Sequence, residues 1–146
     1  MSRFDSRLNA VTPTVLSLFR IIVGLLFICH ATQKLFGWPT GPRVSVGTWP
    51  FWWAGIIELV CGILITIGLF TRPAAFIVCG EMAFAYFTQH VPKDFWPLVN
   101  GGELAVLYCF AFLLLVFAGP GWLAVDSVLS RGHRTDVAAT ETVERG

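Results

Sequence analysis

His30 and Lys34 stand one helical turn apart in the segment 20–38, RIIVGLLFICHATQKLFGW, which is otherwise largely apolar. An imidazole next to an ammonium can relay a proton and hold a carbonyl oxygen. Arg20 and Gln33 add two further polar groups to the same stretch. Three carboxylates and an amide answer them from other apolar segments: Glu58, Glu81, and Asn100 with Glu103. Lipid satisfies none of these groups, so they must turn toward partners or water. His30, Glu58 and Glu103 are the candidate catalytic, proton-moving residues. Arg20, Lys34, Glu81 and Asn100 are the candidate ligand-binding residues. His30, His90 and His133 are too scattered to suggest a metal site.

The composition says where such groups must sit. Of 146 residues, 55% are hydrophobic and only 13% charged, and the mean hydropathy is +0.71. Soluble domains carry roughly 25% charged residues, so the expected class is an integral membrane protein. A net charge of +1 without a basic patch argues against a nucleic-acid partner. Cys29, Cys61, Cys79 and Cys109 fall one per apolar segment with no C-x-x-C pair, which reads as apolar packing; a redox thiol beside His30 or Glu81 is the sharper alternative. Arg3 and Arg7 precede the first apolar segment as they would a signal peptide. Arg20 interrupts it, however, and no A-x-A-like cleavage site follows, so it reads as a retained helix.

Four helices are expected to position the polar groups. The first runs from Thr14 to Phe36, about 33 Å and long enough for a bilayer core of about 30 Å. The second runs from Pro50 to Phe70, the third from Pro73 to His90, and the fourth from Asn100 to Ala118, where Gly119, Pro120 and Gly121 end it. The Gly- and Pro-containing stretches 37–48 and 91–99 read as loops. The expected organisation is a cytoplasmic tail over 1–13, an antiparallel four-transmembrane-helix bundle over 14–122 and a charged, mobile cytoplasmic tail over 123–146. Arg3, Arg7, Arg72, Arg131, Arg134 and Arg145 outnumber Arg43 and Lys93 on the opposite side, which places both termini in the cytoplasm. Trp38, Trp49, Trp52, Trp53 and Trp96 then form an outer aromatic belt, with Trp122 at the inner surface.

At 100° per residue, each helix shows one polar or small-residue seam. His30, Lys34, Arg20 and Ala31 share a face of the first, and Glu58, Gly55, Gly62 and Thr66 a face of the second, where small residues admit a neighbour closely. Glu81 lies with Ala74, Val78, Ala85 and Thr88, and Asn100 with Glu103 and Leu107. Tyr108 falls away from the Glu103 face, toward lipid or a neighbour. Gln89 and His90 fall at a helix end, in the interface. With the helix centres set level, the expected pairings are Lys34 or His30 with Glu103, and Arg20 with Glu58 or Glu81. Two cations against three carboxylates leave either a protonated carboxylate or a charged His30.

The segments RIIVGLLFICHATQKLFG, GIIELVCGILITIGLFTRPAA and NGGELAVLYCFAFLLLVFAGPG resemble the DoxX family of small bacterial membrane proteins. The ordered signature R-x9-H-x3-K, E-L-x2-G-x5-G-L-x-T-R and N-G-G-E-L-A carries the resemblance, which covers the chain from Leu16 to Asp126. It implies a multi-pass, four-helix protein of the bacterial inner membrane. It also implies that Arg20, His30, Lys34, Glu58, Arg72, Asn100 and Glu103 are the family's recurring polar positions. Similar proteins are described as subunits of thiosulfate:quinone oxidoreductase and as partners in thiol-stress complexes, so the resemblance implies a quinone-linked sulfur or thiol redox role.

Two functions suit these residues. In one, the chain is a redox-associated membrane subunit: Lys34 or His30 holds the carbonyl of a bilayer-borne quinone, Glu103 or Glu58 carries protons, and electrons come from a substrate or a redox partner protein. No covalent cofactor motif is visible, and the quinone is the candidate diffusible cofactor. In the other, the chain is a small transporter or a non-catalytic binding or scaffold subunit, with a homo-oligomer supplying the cavity that four short helices lack. The null alternative to both is a set of structural ion pairs that fix helix register.

Overall fold

The computed structural model describes residues 3–128, and the regular structure among them is helical. Helix α1 spans Arg3–Phe36, α2 Phe51–Ile67 and α3 Thr71–Ala85; α3 runs on into a π turn, Tyr86–His90. A single-turn helix α4, Pro97–Asn100, precedes α5, Glu103–Ala118. Among the described residues, only α1 is both long and apolar enough to cross a membrane by itself; α2 and α5 are apolar but shorter.

Helix α1 begins at Arg3 rather than Thr14 and carries Pro13 in its interior. A proline removes one backbone donor, the one that would bond the carbonyl four residues back, and bends a helix without always ending it. Here the Pro13 carbonyl accepts the Ser17 hydroxyl at 2.8 Å and the Trp122 amide at 3.3 Å. Residues 122–128 are thereby docked under the bundle instead of beginning a tail. The rest of the tail expected over 123–146, residues 129–146 with Arg131, His133, Arg134 and Arg145, lies outside the described residues.

Glycine sets the α1–α2 hairpin. A Cβ on Gly62 would meet the Ile28 side chain at 2.8 Å, and one on Gly55 would meet Leu35 at 3.0 Å and Lys34 Cβ at 3.3 Å. Gly24 faces Thr66 in the same way. The pairs 24/66, 28/62 and 35/55 run in opposite directions, so the two helices are antiparallel and their backbones touch. Gly68 closes α2 with φ 76°, donating to the Leu64 and Ile65 carbonyls, as left-handed helix ends do. Phe70 follows with φ 49°, a conformation costly for a non-glycine residue. Asp126 holds this turn: its carboxylate accepts the Phe70 amide at 3.0 Å and the Thr71 amide at 3.1 Å.

Helices α3 and α5 pair antiparallel along a second seam, with Cys79 facing Cys109. The core between the hairpins is Phe27, Ile65, Val78, Met82, Tyr108, Phe112 and Leu115. On α5 the buried residues are Ala105, Tyr108, Phe112 and Leu115, a regular i, i+3, i+7, i+10 stripe. Leu107 is 66% exposed, so the inward face is not the Asn100–Glu103–Leu107 face expected from the polar residues. Helix α1 packs mainly on α2, and α3 on α5, while α1 and α5 meet only lightly. Phe27 closes the α1–α5 gap halfway along, with its ring 5.3 Å from Tyr108 and 4.7 Å from Phe112.

Candidate functional site

The antiparallel register decides which charges meet. Because residue 28 lies beside 62 and 35 beside 55, Lys34 faces Glu58 across the hairpin: its Nζ stands 2.6 Å from Glu58 Oε1. The close approach at Gly55 makes room for the pair. Glu58 is 1% exposed, and its Oε2 has no hydrogen-bond partner. The expected pairing of Lys34 or His30 with Glu103 is therefore not what forms. Glu103 is exposed on the first turn of α5, where a carboxylate complements the positive end of the helix.

The expected pairing of Arg20 with Glu58 or Glu81 is also replaced. The same register carries Arg20 past both carboxylates to the far end of α2. Its guanidinium is fully buried and donates to the backbone carbonyls of Ile65, Thr66, Leu123 and Pro120. A helix C-terminus presents unpaired carbonyls with partial negative charge, and Arg20 satisfies them while tying the 120–123 segment to the bundle. Setting helix centres level concealed this, since α1 is twice as long as α2.

Near the end that carries the 37–50 and 91–96 loops, a cavity of about 220 Å³ opens between α1 and α5. Lys34, Glu58, His30, His90 and Tyr108 supply its polar edges, and Phe27, Met82 and Leu104 its apolar walls. His30 is half-buried, its ring edge-on to Tyr108 at 5.6 Å between centroids. Tyr108, expected toward lipid or a neighbour, is buried in the core; the regular spacing of 105, 108, 112 and 115 was the signal that could have placed it there. His90, expected in the interface, also lines the cavity. The π turn puts it there: the Val91 amide reaches back to the Tyr86 carbonyl at 3.0 Å, and the widened turn swings the imidazole inward, stacked on Tyr86.

Asn100 is buried but spends its side chain on the loop. Its Oδ1 accepts the Gly102 amide and its Nδ2 donates to the Asp94 carbonyl, both at 2.7 Å. Its carbonyl lies 3.2 Å from His90 Nδ1, so Asn100 positions His90 and the start of α5. Glu81 stands apart from the Lys34–Glu58 pair. Both its carboxylate oxygens are buried without a hydrogen-bond partner, and Glu81 lines a second cavity, also about 220 Å³, between α2 and α3. Lys34, Met82, Ala85 and His90 form the partition between the two cavities. Among the described residues, no group of three or more His, Cys, Asp or Glu could hold a metal ion.

A chain of this hydropathy, helical in its described residues, with Arg20 and Glu58 buried and leucines, phenylalanines and tryptophans outside, is a membrane protein. It belongs to the DoxX family, whose model matches residues 15–91. A protein of Haemophilus influenzae described as uncharacterized is 45% identical over 84% of this chain and 96% of its own length. The membrane protein Rv3486 of Mycobacterium tuberculosis is 28% identical over 85% of this chain and 86% of its own. The inner membrane protein YphA of Escherichia coli is 29% identical over 81% of this chain and 92% of its own. No solved structure matches the chain.

Proposed function

We propose that this DoxX protein is a four-helix bundle of the bacterial inner membrane, with both termini cytoplasmic, and that the α1–α5 cavity takes the head group of a quinone-like ligand from the bilayer. The carrying observation is the cavity itself: His30, Tyr108, His90 and the Lys34–Glu58 pair edge one pocket with apolar walls, on the one side of the bundle where neighbouring helices touch lightly. A ligand dissolved in lipid enters such a seam sideways. Lys34, His30 and Tyr108 offer donors to a ring carbonyl. Glu58, whose second oxygen is unpartnered, is placed to pass a proton. In this reading the chain is a redox-associated subunit that positions the head group, and the electrons come from a sulfur or thiol substrate or from a partner protein.

The test is a titration with a short-chain quinone of the protein in lipid nanodiscs, followed by thermal unfolding. Wild type shows saturable stabilisation, His30→Ala and Tyr108→Phe lose most of it, and Glu103→Gln keeps it. No stabilisation of folded wild type, or equal stabilisation of all four proteins, overturns the quinone site.

A further inference from the structure

The cavity beside Glu81 has no part in the quinone reading, yet it holds the molecule's clearest unmet chemical demand. A carboxylate with both oxygens buried and no hydrogen-bond donor either keeps a proton or takes a cation. The buried charges give the same answer. Lys34 is already held by Glu58 at 2.6 Å, so when Glu58 and Glu81 are both ionised the group carries one uncompensated negative charge. The cavity's other walls fit a particular kind of cation. Phe51 and Phe84, 43% and 48% exposed, line it together with Thr88 and Gln89. Aromatic side chains in one cavity with a carboxylate suit an organic ammonium, which gains cation–π attraction and tolerates an apolar setting better than a hydrated metal ion does. A volume of about 220 Å³ falls below the roughly 300–1,000 Å³ of drug-sized sites, which limits the occupant to a small amine.

We infer that Glu81 and the cavity between α2 and α3 form a second binding site, for a small aryl- or alkylammonium ion that is taken up in exchange for the Glu81 proton. On binding, the Glu81 O–H bond breaks, the proton leaves to water at the loop end, and the ammonium pairs with the carboxylate; no electrons move. Four titratable groups surround the exchange: Lys34 from α1, Glu58 and Cys61 from α2, and His90 from the end of α3. Lys34 and His90 line both cavities, so an ammonium at Glu81 and a ligand at His30 share a wall.

The probe is benzyltrimethylammonium, whose fixed charge makes any pH dependence the protein's own. Binding to the protein in nanodiscs is followed by calorimetry in weak and strong buffers at several pH values. The expected result is one site whose affinity rises about tenfold per pH unit while Glu81 is protonated and then levels off, with close to one proton released per cation bound. Glu81→Gln abolishes binding and proton release, whereas Glu81→Asp keeps both at reduced affinity. The quinone thermal shift, measured on the same Glu81→Gln sample, shows that the variant is folded and separates the two sites; should the quinone reading fail, a size-exclusion profile and helical circular dichroism matching wild type serve instead. Equal binding to wild type and Glu81→Gln, binding without proton release, or no binding to wild type each overturns the assignment.

Discussion

Lys34 and Glu58 make the contact on which the site depends, and each is costly to leave alone. Removing one partner of a buried pair typically costs about 3–5 kcal/mol, because the other charge stays buried, whereas replacing both with apolar groups is often close to neutral. Lys34→Met is therefore expected to lower the thermal stability of the protein in nanodiscs strongly, and Lys34→Met with Glu58→Leu to recover most of the loss. Unfolding midpoints for the two single variants and the double variant check this; additive losses would mean that the two residues do not act as a pair. The sequence marked both residues as functional by their type, since ions on apolar helices are rare. It did not say which ion meets which. That depends on the slide of α1 along α2, and the slide is set by backbone contacts at Gly24, Gly55 and Gly62 that involve no charge. Arg20 shows the same limit: its type promised a carboxylate, and its height gave it the end of α2.

At the scale of helices, small residues were the readable signal and polar residues the misleading one. The Gly55–Glu58–Gly62 face of α2 was expected inward and is buried. On α5, Glu103 drew the expected inner face away from Tyr108, although a carboxylate on the first turn of a helix is well placed at the surface. The π turn at Tyr86–His90 left no mark in the sequence that distinguishes it from an ordinary helical end, and so His90 was read as interfacial rather than as a cavity residue. The α3–α5 seam gives a direct check on this packing. Cys79 Sγ and Cys109 Sγ lie 3.7 Å apart, both as free thiols. A lipid-soluble copper–phenanthroline oxidant should couple them within one chain, giving a faster band on a non-reducing gel that Cys79→Ser removes. Bonds from Cys29 or Cys61 in their place would contradict the helix order. Along the other seam, Gly62→Leu must push α1 from α2 against Ile28, and a loss of about 1–3 kcal/mol is expected from overpacking, read as a lowered unfolding midpoint.

The molecule as a whole is two antiparallel helical pairs joined through α2–α3 and left lightly closed between α1 and α5. At one end, Arg20 and Asp126 bind the 120–126 segment beneath the helices. At the other end lie the Trp-bearing loops and, near them, the two cavities. Hydropathy and the turn residues made the helical class legible, and the ordered motifs made the family legible. The open seam was not legible, because it depends on which helices become neighbours, and four amphipathic segments allow several orders. The most direct measurement is photolabelling of the protein in native-lipid nanodiscs with a short-chain azidoquinone, followed by peptide mapping. Label confined to 27–34 and 104–108, and displaced by excess unlabelled quinone, is the predicted result. Label spread over lipid-facing residues such as Phe110, Leu114 and Phe117, and insensitive to competitor, would contradict a quinone site in the α1–α5 seam.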